Sequence, residues 1–228
     1  MNILNFNSVG EYMPDIKPAK NYIPDWYKNI KGYNKNNLKI DQYTNSPKLN
    51  LKSCMPFFDS FNISYIAELA QDIYVEIRDG SPGISWRSQP DPLNVREIDE
   101  NIIPVPHGYS NTHFVWNNNN ILNAKKGYSA IVTHPFNRHD LPFITLTGIM
   151  DIDVLVGNGN IPFFIKEGFE GLIPRGTPIL QIIPFKRESW KINKDESLIE
   201  KNNKENNDKS RSMIGWYKSN RWQKKEFN

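Results

Sequence analysis

The chain is nearly without cysteine: Cys54 is the only one in 228 residues. A single thiol excludes an intramolecular disulfide framework and a zinc site built on several cysteines. It fits a reducing compartment. Long hydrophobic runs are lacking too, and nothing approaches the roughly 20 apolar residues that a membrane-spanning helix needs. The N-terminal MNILNFNSVGEYMPD carries acids where a secretory signal has a positive flank and an apolar core. The expectation is a soluble protein inside the cell, with no signal peptide and no membrane partner. Charge of one sign is also scarce. The 28 Lys and Arg against 25 Asp and Glu leave a net +3, and without a dense basic stripe a nucleic-acid partner is not expected.

What is present is enough to build a core. Apolar residues make up 38% of the chain and aromatics 12%, which excludes wholesale disorder. The stretch 127–187 holds most of the strand signals, near 128–134, 143–147, 161–166, 170–174 and 179–185. Gly127, the 137–142 turn, Gly148, Gly157-Asn158-Gly159, Gly168 and Gly176 punctuate them. Short strands with such frequent turns predict a mainly β protein, a single antiparallel barrel or sandwich. No long helical pattern interrupts them, which argues against a βαβ architecture.

Upstream, Ile73, Val75 and Ile77 alternate with Tyr74, Glu76 and Arg78 as in a half-buried strand. The turn 79–83 then predicts a hairpin closing on Ile84 and Trp86. The preceding ISYIAELA reads equally as helix or strand. Pro24 or Asp25 marks the start of a short N-terminal helix that places Trp26 as a plug on the core. Cys54 sits in the apolar run LKSCMPFF, with no local base or electropositive setting, and reads as a core thiol. The domain reading is an N-terminal extension over 1–50, a β core over 51–190, a polar linker or solvated helix over 191–212 and an aromatic, basic tail over 213–228. A tail bearing Trp216 and Trp222 is expected to dock on its own barrel or on a neighbouring subunit.

Some words carry a resemblance. Gly148-Ile149-Met150-Asp151-Ile152-Asp153 precedes Gly176-Thr177-Pro178-Ile179-Leu180-Gln181, with 25 positions from Asp151 to Gly176. Upstream stands Asp72-Ile73-Tyr74. In order and spacing these resemble the motifs of the dUTPase and dCTP-deaminase superfamily of β-barrels. The words IPDWYK, CMPFFDSF, HPFNRHDLPF, GNIPFFIK and IPRGTPILQIIPFKR also resemble an uncharacterised family of tailed phages and bacteria.

The superfamily resemblance implies a catalytic role for Asp151, which would orient a water or hold a sugar hydroxyl. It implies phosphate or nucleotide contacts from Asp72, Arg138 and Gln181, and a magnesium ion held with help from Asp153. It also implies a homo-oligomer, a trimer by analogy. Departures accompany these expectations. The position of the family's Arg-Ser-Gly motif holds His134-Pro135-Phe136, the tyrosine after the second aspartate is Val154, and the glycine-rich C-terminal arm is absent.

The phage resemblance implies a non-catalytic binding or assembly component, acting in the host cytoplasm or in a virion, on its own copies or on another phage or host protein. From the residues alone, Asp151 and Asp153 close a turn. His107, His113, His134 and His139 with Asp140 are the metal-ligating types present. A turn network of Asn137, Arg138 and Asp140 is the competing reading, with Arg138 paired to Asp140 or to Asp151.

Overall fold

The structure is a computed structural model, and it describes residues 2–11, 13–32, 39–44, 47–95, 104–157, 159–211 and 215–228. Its strands, in chain order, are β1 Leu4–Ser8, β2 Lys17–Pro18, β3 Tyr65–Glu68, β4 Ile73–Arg78, β5 Ser81–Trp86, β6 Leu93–Val95 and β7 Tyr109–Asn117. They continue as β8 Asn120–Ala124, β9 Tyr128–Thr133, β10 Phe143–Thr145, β11 Gly148–Met150, β12 Asn160–Lys166, β13 Gly171–Ile173 and β14 Pro178–Lys186. The α-helices are α1 Asp25–Lys28, α2 Met55–Asn62, α3 Ser197–Ser210 and α4 Trp216–Asn220.

The chain divides into two compact units. Residues 1–22, 63–187 and 227–228 form one, and it holds every described strand. Residues 23–62 and 188–226 form the other, and it holds the four α-helices.

In the β unit all described pairs are antiparallel, as the sequence predicts. They make four sheets, ordered β1-β8, β10-β12-β7-β6, β11-β9-β14-β3-β2 and β13-β4-β5. The arrangement is sandwich-like; the strands do not close into one barrel. Each sheet turns one face inward because side chains alternate with a period of two. Ile73 and Val75 of β4, Trp116 of β7, Leu122 of β8, Val132 of β9, Phe163 of β12 and Leu180 of β14 meet in a single apolar cluster. Trp116 anchors it. Its ring stacks on Phe163 with centroids 3.6 Å apart, and its Nε1–H donates to Thr145 Oγ1 at 3.0 Å. Thr145 Oγ1 in turn donates to the Ile179 carbonyl at 2.9 Å, so the buried indole N–H has a partner that is itself satisfied.

The β4–β5 hairpin is tighter than the five-residue turn read from sequence. Arg78 pairs with Ser81, leaving Asp79 and Gly80 as a two-residue loop with φ of 51° and 78°. Positive φ at both positions is what the right-handed twist of the flanking strands requires, and Asp-Gly meets it cheaply. The ambiguous ISYIAELA resolves as strand β3, which borders β14.

In the helical unit Pro24 stands at the start of α1 and fixes its entry, as read from sequence. Trp26 does not plug the β core; it meets Tyr27, Phe57 and Phe61 at ring-centroid distances of 5.8, 6.3 and 6.1 Å. Cys54 is exposed rather than a core thiol. The apolar run that holds it continues as α2, which buries Met55 and Phe61, while Cys54 stands just before the helix and exposed. Helix α3 is solvated along its length, with no buried residue. Asn158, Ser212, Met213 and Ile214, which the sequence places in a turn, at the end of the linker and at the start of the tail, lie outside the described residues. No helix among the described residues is long and apolar enough to cross a membrane.

Candidate functional site

Strand β11 runs antiparallel to β9 and ends with Met150 opposite Ala130. That register delivers Asp151 to the level of Ser129, whose hydroxyl donates to Asp151 Oδ1 at 2.6 Å. The chain then turns on Asp151's carbonyl oxygen, which accepts the N–H of Val154 at 3.1 Å and of Leu155 at 2.9 Å. The turn is closed by this backbone oxygen, and Ile152 fills the core beneath it. Asp153 points back from the turn with a side chain only 1% exposed.

Arg187, one residue beyond β14, meets both acids. Its Nη1 donates to Asp153 Oδ1 at 2.8 Å and its Nη2 to Asp153 Oδ2 at 2.5 Å. Nη1 also reaches Asp151 Oδ1 and Ser129 Oγ, at 3.1 and 2.9 Å. Gly127 completes a ring of contacts: its N–H donates to Asp153 Oδ2 at 2.6 Å, and its carbonyl accepts the Arg187 N–H at 2.8 Å. The Arg187 guanidinium and then the Gly127 N–H stabilise the ionised acid, holding the Asp153 carboxyl down at about 2. Arg187 was not among the residues singled out from sequence. Its partners lie 34 and 36 positions away, and only the β9–β11–β14 register joins them.

Gln181 lies on β14 opposite Thr133 of β9. Its amide is buried and fully committed. Oε1 accepts the Phe136 N–H at 2.6 Å, while Nε2 donates to Ser64 Oγ at 2.7 Å and to the Ile63 carbonyl at 3.1 Å. Both bracketed turns contain a strained residue, Ser64 at φ 99° and Asn137 at φ 59°. Positive φ is costly for a residue with a Cβ and persists where surrounding bonds enforce it. Gln181 is one such bond on each side. His134 is another: its Nε2–H donates to the Arg138 carbonyl at 3.1 Å, and its Nδ1 accepts the Thr145 N–H at 3.3 Å. Burial pushes its pKa down, so the neutral ring fills this bridging role. Arg138 forks onto Asp140, Nε to Oδ1 at 2.9 Å and Nη2 to Oδ2 at 2.8 Å. Of the two partners weighed for Arg138, Asp140 is the one it meets.

Asp72 stands apart from these groups. It precedes β4, where its Oδ1 accepts the Arg175 N–H at 2.7 Å and ties the start of β4 to the corner after β13. An open groove of about 640 Å³ includes Asp72 in its lining but not Asp151, Arg138 or Gln181. Asp151 binds at the Ser129 end of β9 and Gln181 at the Thr133 end. The four steps of strand between them span about 13 Å at roughly 3.3 Å each. The structure therefore brings Asp151 together with Asp153, and Gln181 near the 134–138 turn, but does not gather the five residues into one pocket.

A magnesium ion demands close octahedral oxygen ligation. At the acid pair, both Asp153 oxygens already face Arg187, and Asp151 Oδ1 is shared with Ser129 and Arg187. A guanidinium in this place offsets the charge that would attract a dication, so the pair as arranged does not fit the metal. Among the described residues no group of three or more His, Cys, Asp and Glu side chains is placed to hold one.

No family profile matches the chain, and no curated protein matches it. Several solved structures resemble it loosely, and two of them serve to describe the likeness. One is a mutant dUTPase from phage phi11 of S. aureus, described with a coordinated structural Mg(II) ion: 11% identity, 86% of this chain and 97% of that one, TM-score 0.39. The other is a mutant dUTPase of Staphylococcus bacteriophage 80alpha with dUpNHpp: 12% identity, 86% and 89% coverage, TM-score 0.38. Likenesses this loose carry no argument about the chemistry of this chain.

Proposed function

We propose that the protein is a non-catalytic binding or assembly component on a β-sandwich scaffold, of phage or virion type, acting as a homo-oligomer or on another phage or host protein. The observation that carries the reading is the Arg187–Asp153 ion pair, which commits the more buried acid of the Gly-x-x-Asp-x-Asp turn to holding strand ends together. Gln181 is likewise spent on Ser64 and Phe136. A surface feature supports it as well. Trp190 is 88% exposed and Ile192 99%, and Leu198 and Ile199 are also uncovered on α3. Large apolar side chains left open to water are more stable under a partner.

A second reading, a dUTPase-like nucleotide-binding or triphosphate-hydrolysing protein using Asp151 with magnesium, has one feature in its favour. The Asp151 side chain is 57% exposed, and its Oδ2 meets no described group. Thermal denaturation against a pyrimidine nucleotide panel, with and without magnesium, separates the two. The assembly reading expects no shift with any nucleotide and a multimeric mass in solution. A magnesium-dependent shift that Asp151→Asn removes would overturn it. So would a compact monomer that stays monomeric and equally stable when residues 191–228 are deleted.

A further inference from the structure

The outer face of the β13-β4-β5 sheet carries the 640 Å³ groove, and its chemistry is not that of the acid cluster. Tyr74 of β4 stands opposite Leu172 of β13 on one side and Ser85 of β5 on the other. Tyr74 and Leu172 are both half exposed and make a flat apolar floor. At the end of β5, Trp86 lines the groove with its Nε1–H donated to Asp91 Oδ1 at 2.9 Å, so the indole is held in place. The adjoining wall is braced without any ligand. Gln71 Nε2 donates to the carbonyls of Ser88 and Pro90, both at 2.7 Å, and its Oε1 accepts from Ser88. Through Gln71, Ser88 and Arg175 the groove continues into a second recess of about 220 Å³.

The charges in this groove are unevenly spent. Glu76 is taken by Arg78 at 2.7 Å, and Asp72 Oδ1 by the Arg175 N–H. Arg87 lines the groove and makes no hydrogen bond or ion pair with the described residues. Arg175 adds a second positive charge at the rim. A preformed recess with an aromatic wall, an apolar floor and an unspent guanidinium is complementary to one kind of molecule. We propose that this groove binds a compact organic anion carrying a flat apolar ring. The ring lies on Tyr74 and Leu172 beside Trp86, and the carboxylate or phosphate takes the two-pronged hydrogen bonding of Arg87. The volume lies within the range of small-molecule pockets. The proposal stands independently of the assembly reading, since neither Asp151 nor Arg187 takes part.

The test uses the full-length protein and the indole ¹⁵N–H resonance of Trp86, assigned with Trp86→Phe. Phenyl phosphate and benzoate are the probes; inorganic phosphate and benzyl alcohol supply the charge and the ring alone. At least one probe is expected to shift the Trp86 resonance saturably, with each separate half binding far more weakly. Arg87→Gln should weaken the probe roughly tenfold, the loss expected when a charge-assisted hydrogen bond goes. Leu172→Ser should weaken it while leaving phosphate binding unchanged. Arg87 and Leu172 are exposed, so both variants should keep the wild-type amide spectrum away from the groove. A Trp86 resonance unmoved by both probes, equal affinity in Arg87→Gln, or equal binding by benzyl alcohol would overturn the proposal.

Discussion

Arg187 grips Asp153 in a two-pronged ion pair while the Gly127 N–H approaches the same carboxylate from the opposite strand end. Asp153 ionises at about 2 in the fold against an ordinary 3.8. A depressed folded value means that this acid adds stability in full above its unfolded value, and that the contribution fades as pH falls through the folded one. Urea unfolding from pH 5 down to about 2 should show a falling midpoint in the wild-type protein. Asp153→Asn should be less stable at pH 5 and show a flatter slope across that window. An identical slope would remove Asp153 as the source.

His134 gives a second, milder limb. Its folded pKa lies below the ordinary 6.5 because burial disfavours the charged ring. As pH drops below about 6.5 the unfolded chain takes up a proton that the folded chain resists, so stability declines there. NMR titration of the His134 ring should give a midpoint below the ordinary 6.5. A midpoint above 6.5 would contradict the buried bridging role.

Replacing Gln181 with leucine keeps the volume but leaves the Phe136 N–H and the Ser64 hydroxyl without their partner. Losing a buried hydrogen bond that strands its partner costs about 1–3 kcal/mol, so Gln181→Leu should lose on the order of 3 kcal/mol in equilibrium denaturation. A loss below about 1 kcal/mol would mean that water or a turn shift takes over the amide's task.

Thr145→Val removes the acceptor of the Trp116 indole and the donor to the Ile179 carbonyl in a sterically matched swap. A cost of about 2 kcal/mol is expected, with a change in near-ultraviolet circular dichroism from the stacked Trp116–Phe163 pair. An unchanged spectrum and midpoint would place the anchor of the core elsewhere.

Within the helical unit, Asp59 of α2 accepts the Trp222 indole N–H at 3.0 Å and the Lys225 ammonium at 2.7 Å. Asp59→Ala should release this part of the tail. Losing about 1.5 kcal/mol of charge-assisted bonding corresponds to roughly tenfold more of the open form. Trypsin should then cleave at Lys224 and Lys225 correspondingly faster, and equal cleavage rates would show that the tail is held by something else.

The strands within 127–187 were legible because Ile, Val, Phe and Leu alternate there between clear turn residues. The Asp79-Gly80 hairpin was legible for the same local reason. The β1–β8 pair was not: LNFNS and NILNA are rich in asparagine, and their partnership joins residues more than a hundred positions apart. Trp26 misled because its apolar size is visible in sequence while its partners Phe57 and Phe61 are not. Cys54 misled because an apolar run says nothing of which of its residues stay outside the helix that it becomes. At the candidate site the acids of the turn stood out by spacing. Their guanidinium partner did not, because a lone arginine after a strand carries no local pattern. Gln181 was picked out as a phosphate ligand through a motif, whereas its bonds to Ser64 and Phe136 depend on where two distant turns fold back.

Arg187 is also the last residue of the β unit before the chain passes into the helical unit. The ring of Gly127, Asp153 and Arg187 therefore works as a clasp at the exit of the sheet. It fastens the end of β14 to the turns at Gly127 and Asp153, through one backbone bond and a side-chain ion pair. Because that clasp is electrostatic rather than apolar, tension drawn through residue 188 would meet its first resistance in an ion pair, and salt or acid would set how readily the sheet begins to fray.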